Sequence, residues 1–223
     1  MGTGNEREHI SVFNCIAAEF DHNDGRYLLA DGEWFRLKRE FVQEVNDSIA
    51  RIPVLEHQLP AWNHSDDDGK PEREDDWNTR ACESWSEAAL LDKSNISHGG
   101  GSSKIEPADI LTKDGVFGHA KRRDKSSSGL SHLFAQGVVA AQLISQDQDF
   151  RRKVAQIVPD SHNPIASKLN GQFNPSDWTI GYILLGANGA NPAGDLPFFS
   201  KVNLKGAAER LRMMRYQIGL IGV

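Results

Sequence analysis

The sequence is short of most features that would classify it at once. Cysteine is nearly absent: Cys15 and Cys82 are the only two in 223 residues, with no CxxC pairing. That argues against a disulfide framework or a cysteine zinc site and fits a reducing cytoplasm. No apolar run approaches the ~20 residues of a membrane span, and the polar, acidic start MGTGNEREHI lacks the hydrophobic core of a signal peptide. There is no GxSxG elbow, no paired Cys/His arrangement and no HxxxH pair on a helix, so covalent hydrolase chemistry and a zinc protease have no support. Positive charge is not in excess either. A net charge of −6 argues against a protein whose whole surface binds polyanions. These absences leave a globular, cytoplasmic protein with no membrane partner.

What is present has an ordinary balance, 39% hydrophobic and 25% charged, enough for one sizeable domain or one with a small appendage. The charges are unevenly placed. Asp66, Asp67, Asp68, Glu72, Glu74, Asp75 and Asp76 crowd one stretch, whereas Lys121, Arg122, Arg123, Lys125, Arg151, Arg152 and Lys153 bracket a long apolar segment. The division this suggests is an N-terminal hairpin-and-helix subregion (1–58), an acidic linker or loop (59–76) and a core domain (77–223).

Within the first part, residues 10–20 suit a strand or a short helix. Two β-rich runs then flank Asp31-Gly32, a pairing that favours a tight hairpin turn. Phe41, Val42, Val45, Ile49 and Ile52 recur at helical spacing, and Pro53 ends the pattern. In the core, Trp77, Ala81, Trp85 and Ala88 share a helical face, and Leu90–Ile96 is a strand candidate. Residues 104–111 and 116–122 form a hairpin across Thr112-Lys113-Asp114-Gly115. A helix from Leu130 is apolar on more than one side, as expected of a deeply packed element. Phe150–Val158 suits a short helix, and 159–175 is irregular. Trp178–Leu185 suits a buried strand, Leu204–Arg215 a basic helix and Tyr216–Val223 a last strand. The pattern predicts an α/β (α+β) fold with a mixed central sheet and flanking helices. The GGGSSK stretch before the hairpin lacks the P-loop spacing and precedes a strand, so it reads as a connector.

The hairpin concentrates the chemistry. A metal-dependent phosphodiesterase needs oxygen ligands for a divalent cation, an activated water and a cation to offset charge on the phosphate. Asp109 lies near the end of the first strand. Nine residues separate it from His119, which shares a strand face with Lys121. Glu106 points to the opposite face from Asp109 if the strand is regular, although Pro107 interrupts it.

This stretch resembles the PD-(D/E)XK nuclease superfamily, which places an Asp on one strand, an acid-x-Lys on the next, a helix after them and often a Glu on the helix before. Here the parts are Asp109, His119-Ala120-Lys121 and the helix from Leu130, with Glu87 or Glu83 upstream. The resemblance covers about residues 77–186 and implies a restriction-endonuclease-like core of one helix, three strands, a helix and a strand. It further implies a Mg²⁺ or Mn²⁺ site on Asp109, His119 and Glu87, catalysis by Asp109, His119 and Lys121, and support from Ser131 and Gln136. Lys121, Arg122, Arg123 and Lys125 would contact nucleic acid. His119 departs from the pattern, being a poorer ligand for Mg²⁺ than for Mn²⁺ or a transition metal.

Over the whole chain, LLDKSNI, IEPADIL, HAKR, LSHLFAQG and LPFFSKVNL resemble segments of the uncharacterised "sporadically distributed" bacterial protein family. Its members are associated with mobile elements and phage defence, and the likeness implies the C-terminal part of a longer protein. Together these readings lead to a nucleic-acid-processing protein, a metal-dependent nuclease, with a non-catalytic nucleic-acid- or protein-binding module as the alternative.

Overall fold

The computed structural model describes residues 11–23, 25–65, 69–97, 104–123 and 127–223. They form two compact units divided between Asp47 and Ser48. In the first, a short 3-10 turn at Val12–Cys15 precedes an antiparallel sheet of order β1 (Ala18–His22), β2 (Gly25–Ala30), β3 (Glu33–Arg36). Asp31 and Gly32 both take positive φ, 50° and 76°, as the two-residue turn between β2 and β3 requires. Helix α1 (Arg39–Ala50) follows and crosses the division.

The second unit is a mixed α+β fold. Its chain order is α2 (Glu74–Ser84), β4 (Ala88–Leu90), β5 (Ile96–Ser97), β6 (Lys104–Ile105), β7 (Ile110–Thr112), β8 (Val116–Arg122), α3 (Ser127–Gln146), α4 (Gln148–Ile157), α5 (Asn163–Asn170), β9 (Thr179–Leu185), α6 (Phe198–Met213) and β10 (Gln217–Gly222). The central sheet has the order β10-β9-β8-β7-β4. Strands β8, β9 and β10 are parallel, and β7 is antiparallel to both its neighbours. Strands β5 and β6 form a separate small pair.

Side-chain alternation along β8, β9 and β10 splits the core into two layers. Ala120, Ile183, Leu185 and Ile221 pack with Trp77 and Ala81 of α2 on one face. Phe117, His119 and Tyr182 belong to the other. There the Tyr182 hydroxyl donates to the Phe134 carbonyl of α3 at 2.9 Å, and the Phe134 and Tyr182 rings meet edge to face at 5.1 Å. The approach is close because residue 137 is glycine: a Cβ there would come within 2.8 Å of the Tyr182 ring.

Several elements differ from the sequence expectation for local reasons. The first strand of the central hairpin starts at Ile110 rather than Lys104, because Pro107 has no N–H for the ladder and residues 104–105 pair with β5 instead. The described residues of the acidic stretch 59–76 are irregular up to Glu74, yet the stretch is anchored in the second unit: Leu59 and Trp62 are buried in its core, and the Trp77 indole donates to the Pro60 carbonyl at 3.1 Å. Residues 159–175, expected to be irregular, contain α5, whose Pro164 sits in the first turn where its missing N–H costs nothing. Helix α6 begins at Phe198, before the expected Leu204. The glycine connector at 99–103 lies outside the described residues.

Gly137→Val is expected to lower unfolding stability by about 2 kcal/mol or more through overpacking against a ring whose hydroxyl is tethered. Urea denaturation monitored by circular dichroism measures it.

Candidate metal centre

The site forms at the carboxyl end of β8, where β7 begins. Ile110, the first residue of β7, pairs with Gly118, and the Asp109 N–H still donates to the Gly118 carbonyl at 2.9 Å. Beyond that point β7 has ended, and the Asp109 carboxylate itself accepts the Ala120 N–H at 2.6 Å. Asp109 is left only 8% exposed.

Two further acids converge on it. The N–H groups of Leu91 and Asp92, just past β4, both donate to the Asp109 carbonyl, at 2.8 and 2.9 Å, which sets Asp92 beside it. Glu106 arrives through the break at Pro107; its carboxylate accepts from the Lys93 N–H and from the Gln136 amide of α3 at 3.2 Å. One carboxylate oxygen from each of Asp92, Glu106 and Asp109 lies within 4.8 Å of the others. Oxygens bound to one divalent cation at ~2.0–2.6 Å can be that far apart, so this triad could hold a metal.

Electrostatics favour a cation there. Burial pushes the Asp109 carboxyl up to about 7; the Ala120 N–H opposes this, and the charges of Glu106, Asp92 and Glu74 add to it. Glu106 is also raised, chiefly by burial. The nearby lysines are engaged elsewhere: Lys93 Nζ pairs with Asp75 at 2.8 Å and Lys121 Nζ with Glu74 at 2.6 Å. The three acids line a cavity of about 370 Å³ together with Lys121 and Asn78. Asn78, on α2, is only 2% exposed, and its Oδ1 has no hydrogen-bond partner among the described residues. An orphaned acceptor beside three acids is a second, independent sign of a missing donor or cation.

The sequence-derived candidates are dispersed. Asp109 is in the triad, Lys121 is in the cavity wall, and Gln136 holds Glu106. His119 is fully buried on the α3 side of the sheet, its ring 6.3 Å from that of Tyr182, and does not join the acids. Both its ring nitrogens lack partners among the described residues, and burial holds its pKa down to about 4. Lys121 shares its strand parity but lies at the strand end, where its long stem reaches Glu74. Glu87 is exposed and pairs with Lys113 at 3.1 Å, at the opposite end of β4 and β7 from Asp109. Glu83 is exposed on α2. The helix acids that do reach the cavity are Glu74 and Asp75, and the Glu74 carboxylate also accepts the Arg122 N–H at 3.0 Å. Ser131 accepts from Asn203 of α6 at 2.7 Å. Arg122 is exposed, Arg123 faces Asp195 at 3.4 Å, and Lys125 lies outside the described residues.

Sequence reasoning missed Asp92, Glu74 and Asn78, and left the face of Glu106 open at Pro107. Asp92 and Glu106 do stand inside two of the distinctive segments, LLDKSNI and IEPADIL, which was the available signal. Over residues 2–223 the chain matches a family of unknown function, DUF6119. No curated protein and no solved structure matches it. Among the described residues, no helix is long and apolar enough to cross a membrane.

Asp109 and His119 make opposite contributions to stability in the metal-free protein. The raised Asp109 gives stability that is full below about pH 4 and lost as pH rises through 7. The depressed His119 gives stability that is present above about pH 6.5 and lost as pH falls toward 4. Asp109→Asn should therefore gain about 1–3 kcal/mol at pH 8, with little change near pH 4, and expose the acid sensitivity of His119. His119→Leu should do the reverse, flattening the acid limb and leaving divalent-metal affinity unchanged. Urea titrations in EDTA from pH 4 to 8, with calorimetry for the metal, check both.

Proposed function

The chain belongs to the DUF6119 family, and we propose for it a divalent-metal-dependent phosphodiesterase activity on nucleic acid. The observation that carries this reading is the convergence of Asp92, Glu106 and Asp109 within 4.8 Å in a cavity that also holds Lys121. The order of α2, the sheet strands β4, β7 and β8, α3 and, after α4 and α5, β9 supports it, being the helix, three strands, helix and strand of the nuclease-like pattern with two helices inserted before the last strand.

The residues present fit a hard cation. The three carboxylates form an all-oxygen donor set, with the Asn78 amide in the lining of the same cavity, and oxygen donors favour Mg²⁺ or Mn²⁺ over softer metals. His119 is outside the set, and His132 of α3 lines the cavity without joining the clustered acids. A bound cation would supply Lewis acidity toward a phosphoryl oxygen and lower the pKa of a water. The protein's own groups do the rest. Gln136 and the Lys93 N–H orient Glu106, and the Ala120 N–H orients Asp109. Lys121, swinging from Glu74, offsets the charge that develops on the phosphate. Glu74 holds Lys121 at the rim before substrate arrives and takes it back afterwards.

The Lys121–Glu74 pair also motivates a second reading, in which Lys121 stays paired and the site binds a metal and a nucleic acid without cleaving. Plasmid, single-stranded DNA and RNA incubated with Mg²⁺ or Mn²⁺ separate the two. Cleavage that falls at least ~100-fold in Asp109→Asn and in Lys121→Ala is the expected result. Metal binding and retention of nucleic acid without cleavage would favour the second reading. Cleavage unchanged in both variants would remove the catalytic assignment.

A further inference from the structure

Three glycines stand side by side across the central sheet. Gly118 of β8 is in register with Gly181 of β9, and Gly181 with Gly219 of β10. Alternation puts all three on the α2 face, together with Ala120, Ile183 and Ile221. Glycine weakens a strand interior and often marks the close approach of another group. Here the neighbouring side chains lie low over the row. A Cβ at Gly118 would meet Ile183 Cδ1 at 2.9 Å, one at Gly181 would meet Val116 Cγ1 at 2.8 Å, and one at Gly219 would overlap Leu55. Leu55 is fixed there by its N–H, which donates to the Leu220 carbonyl at 2.8 Å.

These side chains do not fill the space above the sheet. A cavity of about 250 Å³ remains, with Gly118 in its lining and Leu55, Leu59, Ile110, Ile183 and Trp85 among its apolar walls. Interiors are normally packed to the density of organic crystals, and an apolar cavity with a few polar groups is the usual form of a small-molecule site.

The polar part of the lining carries charge of one sign. Glu56, Thr112, Asp114 and Thr179 supply it, and no basic residue does. Asp114 lies in the turn between β7 and β8, where the Thr112 hydroxyl donates to its carboxylate. That hydroxyl in turn accepts the Val116 N–H at 2.9 Å, so the hairpin backbone holds the acid at the cavity. Among the described residues neither Glu56 nor Asp114 has a cationic partner. Trp85 adds an indole, the strongest aromatic partner for an organic cation.

We propose that this cavity binds a small organic ammonium ion, with its apolar body over Gly118 and its charge met by Glu56 and Asp114. The volume lies just below the ~300–1,000 Å³ of sites for drug-sized molecules, which suits an amine carrying one ring or a short branched chain. A neutral apolar ligand would match the walls but would desolvate two carboxylates without pairing them, and an anion would be repelled. The cavity shares no lining residue with the acidic cavity of Asp109, so this site and the proposed metal centre stand or fall separately.

Ligand-observed NMR titration of the full chain in EDTA tests this, with 2-phenylethylamine and isopentylamine as cations and 2-phenylethanol and phenylacetate as neutral and anionic counterparts. At least one amine should bind, and 2-phenylethylamine should bind ~10-fold or more tightly than the alcohol, with phenylacetate not binding. Glu56→Gln and Asp114→Asn should each weaken the amine ~5- to 10-fold and leave the alcohol within ~2-fold. Gly118→Ala, which raises the floor, should weaken amine and alcohol together; Glu56→Gln, at an exposed position, tests charge recognition without touching the core. Equal affinity for amine and alcohol, or amine binding unchanged in both carboxylate variants, would overturn the assignment. So would failure of both amines to bind, or amine binding lost in Asp109→Asn, which would place the ligand in the acidic cavity instead.

Discussion

A buried carboxylate at the end of a β-ladder governs the second unit. Strand β7 stops one step short of covering β8, and the Ala120 N–H that would otherwise be orphaned is taken by Asp109. This bond satisfies a backbone donor inside the fold but commits an acid to a site where its charge is poorly solvated. The Asp109 carbonyl then binds the N–H groups of Leu91 and Asp92, so the same residue locks the exit of β4 and draws in a second acid. Glu106 completes a group whose mutual repulsion has two remedies, a proton or a cation. The elevated Asp109 pKa is the proton remedy. The proposed metal is the other.

The cations around this group are arranged to guard it rather than neutralise it. Lys93 and Lys121 are held by Asp75 and Glu74, both in the first turn of α2, where acids are also favoured by the helix dipole. Helix α2 therefore has three duties. It packs Trp77 and Ala81 on the sheet, presents Asn78 to the cavity and restrains the lysines at its edge. The ion pairs are partly exposed and each contributes little to stability; their consequence is positional, keeping positive charge at the rim of the cavity.

Strand β8 shows how much turns on alternation. His119 and Lys121 share one face of the strand, yet the ring is sealed under α3 beside Tyr182 while the ammonium escapes past the strand end. The intervening Ala120 packs its methyl on the α2 side, and its backbone N–H is what fixes Asp109. A buried His with two unpartnered nitrogens carries a cost of its own, and it makes acid stability a contest between His119 and Asp109 rather than the property of either.

Much of the architecture was legible in the residues. The Asp31-Gly32 turn, the helical spacing of α1, the apolar length of α3, the buried strand at 179–185 and the mixed α+β class all follow from periodicity and turn chemistry, which are local. Asp109, Lys121 and Gln136 were legible as polar groups beside a core. The companions of Asp109 were not, because their placement depends on long-range events: Pro107 breaks a strand and frees Glu106, two backbone bonds pull Asp92 inward, and the first turn of α2 brings Glu74 to a lysine 47 positions away. Sequence determined by itself the helix or strand character of the strongly periodic segments and which face of each is apolar, since a residue's neighbours at two or 3.6 positions suffice for that, but not α5 or the break at Pro107. Only the tertiary structure decided that His119 faces the core while Asp92, Glu106 and Asp109 meet at the end of β8, because that meeting is set by where one strand stops against another.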